Sequence, residues 1–195
     1  MRLASLAAVL ALAACQPAEK LSESEKLGQD EPGAPMEAAP DPTPVTFTAM
    51  SKTAEAFTGD IGLSAQPRPG PNATPRMKIT TATGIVYETE LLPGGAEQAT
   101  TIDWKALFGQ DVVVAANPPP GAPSIDMHLV SLETVPPGAP NGGFCGDEKT
   151  FAIAMATGLS NPGGKFMSIA AFKGDQWPPK DDSVLCGTFN YIPPA

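Results

Sequence analysis

Between Phe144 and Ile192 the chain breaks into three apolar runs of strand length, set apart by glycine, proline and aspartate. Thr150 to Met155 alternates Phe151, Ile153 and Met155 with alanines. Phe166 to Phe172 is apolar on both faces. Val184 to Ile192 closes the series. Runs this short, with turn residues between them, cannot build long helices, and period-two alternation is the mark of a strand. The stretch predicts three β-strands, the middle one central because neither of its faces is polar.

The same punctuation continues upstream. Val45 to Ala49, Ile61 to Ala65, Met77 to Thr81, Ile85 to Leu91, Val112 to Ala116 and Ile125 to Thr134 all read as strands. One segment differs. Asp103 is a fitting helix N-cap, Gly109 a fitting stop, and Trp104, Leu107 and Phe108 share one face at helical spacing. That face reads as a plug for the open end of a small sheet, or as a ligand shelf. The expectation is a single all-β domain over residues 45–195: a small antiparallel β-sandwich or barrel with one short helix.

The first fifteen residues have a different character. Met1-Arg2 gives a positive start, Leu3 to Ala14 is apolar but too short to span a bilayer, and Leu12-Ala13-Ala14-Cys15 closes it. This resembles the lipobox of bacterial lipoproteins at every position. The resemblance implies cleavage of a signal peptide, residues 1–14. It also implies lipidation of Cys15 by fatty acyl chains such as palmitate, and anchoring in the cell envelope. Gln16 follows the cysteine where enteric bacteria use Asp for inner-membrane retention, so the resemblance points to the outer membrane, periplasmic side.

Residues 15–44 then read as a disordered acidic, proline-rich linker. Seven acidic side chains face two lysines there, with few large apolar residues to offset the cost of ordering. It serves either as a stalk or as a leader of unselected length.

With Cys15 assigned to lipid, Cys145 and Cys186 remain. Export supplies an oxidising compartment. Pairing them would stabilise the fold by about 4 kcal/mol in the chain-entropy model. Neither sits in a Cys-x-x-Cys pair, so metal and redox readings are weak.

Groups that could carry chemistry are sparse. The 195 residues include one histidine, His128, and the formal charge is −9. Asp126 and His128 would share a strand face, yet no serine lies in a nucleophile elbow. Glu88 and Glu90, or Asp181 and Asp182, could be read as carboxylate pairs, but a solvated strand face and a polar loop account for them. Asp175 with Asp181 and Asp182 does not match a calcium loop. No phosphate loop, dinucleotide fingerprint or zinc helix is present, so no metal or cofactor is expected. The acidic balance argues against nucleic acid and favours, if anything, a basic partner. Trp177, followed by two prolines, and Trp104 are the candidate partner contacts. The expected function is non-catalytic: binding or structural support at the envelope, reached through the N-terminal lipid. One alternative is inhibition of a basic envelope-degrading enzyme such as lysozyme. Another is a carboxylate-dependent hydrolase.

Overall fold

The computed structural model describes residues 42–67, 70, 73–109, 112–114, 122–159, 165–179 and 181–194. The expected signal peptide, Cys15 and the expected linker up to residue 41 lie outside the described residues, as do residues 161–164 between the first two apolar runs of the final third.

Eight strands form one closed antiparallel barrel in sequence order, each paired with its chain neighbours and β8 with β1. They are β1 (Val45–Ala49), β2 (Ile61–Gln66), β3 (Arg76–Thr81), β4 (Val86–Leu91), β5 (Ser124–Thr134), β6 (Thr150–Leu159), β7 (Lys165–Lys173) and β8 (Leu185–Ile192). Of the two architectures expected, sandwich and barrel, the chain adopts the barrel. Closure removes the sheet edges that would otherwise invite pairing with other chains.

Three short α-helices, besides a 3-10 turn at Asp182–Val184, stand among the described residues where one was expected: α1 (Lys52–Phe57), α2 (Gly95–Gln98) and α3 (Trp104–Phe108). The expected caps of α3 are both present. Asp103 accepts from the Ala106 amide at 2.9 Å, and Gly109 takes the left-handed conformation at φ 68°. The strand expected over Val112 to Ala116 reduces, among the described residues, to a single bridge between Val113 and Ser124.

The barrel carries two apolar layers. The interior holds Ile61, Ile79, Ile85, Tyr87, Ile153, Ile169, Phe189 and Tyr191, all buried. The second layer lies outside, on β5, β6 and β7. There Ala152, Ala154, Ala156 and Ala170 form a shallow floor, covered by α2, α3 and Trp177. The alanines of β6 thus face not solvent but a second core, and their small size lets the helical layer approach. This is why β7 is apolar on both faces in a barrel that has no central strand.

One end of the barrel is plugged. Phe144 is buried there between Tyr87 and Phe189, with ring centroids 4.7 and 4.9 Å away. The Phe144 amide donates to the Tyr87 hydroxyl at 2.7 Å. The disulfide between Cys145 and Cys186, as expected, ties this loop to the start of β8. Helix α1 covers the same end: Ser51 caps it, Asn190 also donates to the Ser51 hydroxyl at 3.1 Å, and Phe57 meets Phe189 edge-on.

Candidate functional site

The other end of the barrel holds a cavity of about 400 Å³. Its wall is apolar, formed by Val45, Phe47, Leu63, Met77, Leu91 and Met155. These residues come from the mouth ends of β1, β2, β3, β4 and β6, so the cup is a property of closure and appears in no single segment. Small-molecule pockets commonly fall in the range of roughly 300–1,000 Å³, and an eight-stranded barrel has room for one small ligand.

Strand β5 supplies the polar groups. Asp126, His128 and Val130 alternate onto the inner face, while Ile125 and Met127 join the outer layer. At Ser131 the register slips against Glu88 and Thr89. Ser131 is the extra residue, its hydroxyl donating to the Glu88 carbonyl at 2.9 Å. A bulge of this kind reverses the inward parity beyond it. Glu133 therefore turns inward at the plugged end, where it accepts from the Thr150 amide at 2.8 Å.

His128 is 8% exposed, so the histidine is buried in the barrel wall. Its Nδ1 lies 3.2 Å from Thr89 Oγ1, and Thr89 in turn donates its one hydroxyl hydrogen to the Met77 carbonyl at 3.2 Å. Thr89 can therefore only accept from the ring, so Nδ1 carries the proton and Nε2 a lone pair. No buried polar side-chain atom lacks a partner among the described residues. Among the described residues Nε2 has no hydrogen-bond partner, and the open space beside this ring is the cup. Burial lowers the His128 pKa to about 4, so the ring is neutral at ordinary pH.

Asp126 stands nearer the rim. It is exposed, it has no hydrogen-bond or ion-pair partner among the described residues, and desolvation raises its pKa. Arg76, also at the rim, pairs with Glu90. The cup thus presents one lone pair and one unpaired carboxylate, while its guanidinium is already occupied.

Ser64 also borders the cavity, which brings a serine, a histidine and an aspartate to one place. They do not form a relay. The ring nitrogen that a triad aspartate would hold is held by Thr89, and Ser64 Oγ accepts from Gln66 Nε2 at 3.3 Å. In β2 the residues turned inward are Ile61 and Leu63, which leaves Ser64 on the opposite parity.

The remaining candidates fall elsewhere. Trp104 is 7% exposed; it stacks on Phe108, meets Phe172 edge-on, and donates Nε1 to the Ala96 carbonyl at 3.3 Å. The expectation of an end plug is corrected: Trp104 packs α3 onto the barrel wall. Trp177 is half-buried on the other side of Phe172, its Nε1 donating to the Gly95 carbonyl at 2.8 Å. Both indoles thus hold the α2 turn. Gly95 is required at that turn, since a Cβ there would lie 2.7 Å from that of Met127. Glu88 and Glu90 stand on the outer face, opposite Tyr87, Thr89 and Leu91. Asp181 accepts from the Ser183 amide at 2.9 Å; the Asp182 side chain lies outside the described residues.

The orientation of the faces also bears on the membrane. Lys78, Glu88 and Glu90 lie on the outer face of six-residue strands, while the interior is apolar. A membrane-spanning barrel carries an apolar belt outside, which these charged residues on β3 and β4 interrupt. The fold and cavity define a cup-shaped up-and-down β-barrel. No family model, curated protein or solved structure matches the chain.

Proposed function

We propose that this chain is a lipid-anchored cell-envelope protein that binds a small, largely apolar molecule in the mouth of its barrel, without catalysis. The observation that carries the binding reading is the cup: an apolar cavity of about 400 Å³ at one end of a barrel whose other end is plugged. Rigid walls of paired strands hold such a cavity open without a ligand, and preorganisation of this kind favours affinity. The envelope address rests on the lipobox at Cys15 and on the disulfide, which suits an oxidising compartment. The inhibitor reading draws on net charge and address alone, and the cup gives it nothing further.

The test uses the full mature chain with a neutral environment-sensitive dye, N-phenylnaphthylamine. Saturable binding with a blue-shifted emission is expected. Leu63→Trp, which fills the cup, abolishes it while leaving the circular dichroism unchanged. Dye binding that survives Leu63→Trp would locate the site elsewhere. For the address, Cys15→Ser releases the protein to the soluble periplasmic fraction; continued membrane association removes the acyl anchor.

A further inference from the structure

We infer that the ligand of the cup is an apolar amine: a hydrophobic body carrying an ammonium group that still bears N–H donors. This deepens the proposed cup reading and rests on it. The argument comes from what the polar groups at the cavity lack. The apolar wall selects a hydrophobic body but says nothing of its head group. The head group is set by Asp126 and His128, two residues apart on one face of β5.

Both are acceptors. Thr89 Oγ1 fixes the proton on Nδ1, so His128 offers the cavity only a lone pair on Nε2. Asp126 offers a carboxylate without a partner among the described residues. The rim cation that would welcome an anionic head, Arg76, is already paired with Glu90. A fatty acid would bring its carboxylate toward a carboxylate and a lone pair. An alcohol would satisfy one acceptor and leave the charge of Asp126 uncompensated. An ammonium satisfies both: its charge meets Asp126, and a second N–H reaches His128. A charge-assisted hydrogen bond at a partly desolvated site is stronger than a neutral one. Recognition by groups that would otherwise stay unpaired is also the kind that discriminates most sharply.

The experiment is competition against N-phenylnaphthylamine at neutral pH on the full mature chain. The competitors are octylammonium, octyltrimethylammonium, octanol and octanoate, which share a tail and differ in head. Octylammonium should compete best, by about tenfold or more over octanoate. The trimethyl form keeps the charge and loses the donors, so it should be intermediate. Asp126→Asn should bring octylammonium down to the level of octanol without weakening octanol itself. Glu88→Gln, on the outer face, should leave the ranking unchanged, which separates the site from the general attraction of an acidic protein for cations.

Octanoate competing as well as octylammonium, or an ammonium preference that survives Asp126→Asn, would overturn the head-group inference while the apolar cup stands. Equal competition by octyltrimethylammonium would remove His128 as the second contact. If the dye and all four competitors fail to bind, the cup reading falls and this inference falls with it.

Discussion

Inside the barrel, His128 Nδ1 and Thr89 Oγ1 meet at 3.2 Å, joining β5 to β4 at the floor of the cup. The pair settles the tautomer of the only histidine in the chain, and with it the hydrogen-bonding character of the cavity.

That histidine should make stability depend on pH. Unfolded, the ring titrates near its ordinary 6.5; folded, burial lowers the value to about 4. Between those values the unfolded chain binds a proton that the folded chain refuses. Stability is therefore whole above about pH 6.5 and falls as the pH drops toward 4, by about 3 kcal/mol at the lower limit. Asp126 acts in the opposite sense, because its raised pKa lets the folded chain take up a proton first. Being exposed, it offsets only part of the loss. Urea midpoints measured near pH 7 and near pH 5 should differ in the native chain and converge in His128→Leu.

Thr89 is 1% exposed, and its hydroxyl serves both the ring and the Met77 carbonyl. Thr89→Val keeps the volume and leaves the Nδ1–H without an acceptor. The expected loss is about 1–3 kcal/mol. Nitrogen NMR of the ring gives an independent readout: a clean Nδ1–H tautomer in the native chain and a mixture, or the opposite tautomer, in the variant. An unchanged tautomer would mean that Thr89 does not orient the ring.

The plugged end depends on a covalent tie between a loop and a strand. Cys145 follows Phe144 directly, so the bridge to Cys186 holds the plug as well as the backbone. Replacing both cysteines by serine should cost about 2–5 kcal/mol in urea denaturation. Amide exchange should then speed up first at Phe144, whose N–H bonds the Tyr87 hydroxyl, and at Thr150, bonded to Glu133. The mouth should be less affected, so dye binding in the cup should outlast the plug.

Local signals in the sequence reached the strands, the caps of α3 and the cysteine pair, because each depends on near neighbours or on simple elimination. They did not reach the cup. Val45 and Met155 meet only once β8 has closed on β1, and no window of sequence contains both. Asp126 and His128 were legible as sharing a strand face, but the burial of His128 follows from the strands packed around it. The slip at Ser131, which turns Glu133 inward, has no signal beyond an ordinary serine in an apolar run. The packing of Trp104 and Trp177 into a second apolar layer was not legible either, because that layer exists only once the strands beneath it are assembled.

That second layer makes the sharpest mutational prediction, because it turns on residues that look dispensable. Ala154 is fully buried on the outer face of β6, paired in register with Met127 and Ala170. A larger side chain there would extend the apolar surface, and for a strand facing solvent it would cost almost nothing. Beneath a packed layer it must lift the layer instead. Overpacking of a filled core costs about 1–3 kcal/mol. Ala154→Leu should therefore destabilise the chain by that amount and displace the α2 turn to which both indoles donate. Tryptophan emission should shift to the red as Trp104 and Trp177 gain water, while the cup, on the other face of the same strand, keeps its dye. A stable variant with unshifted emission would show that the helical layer does not rest on these alanines.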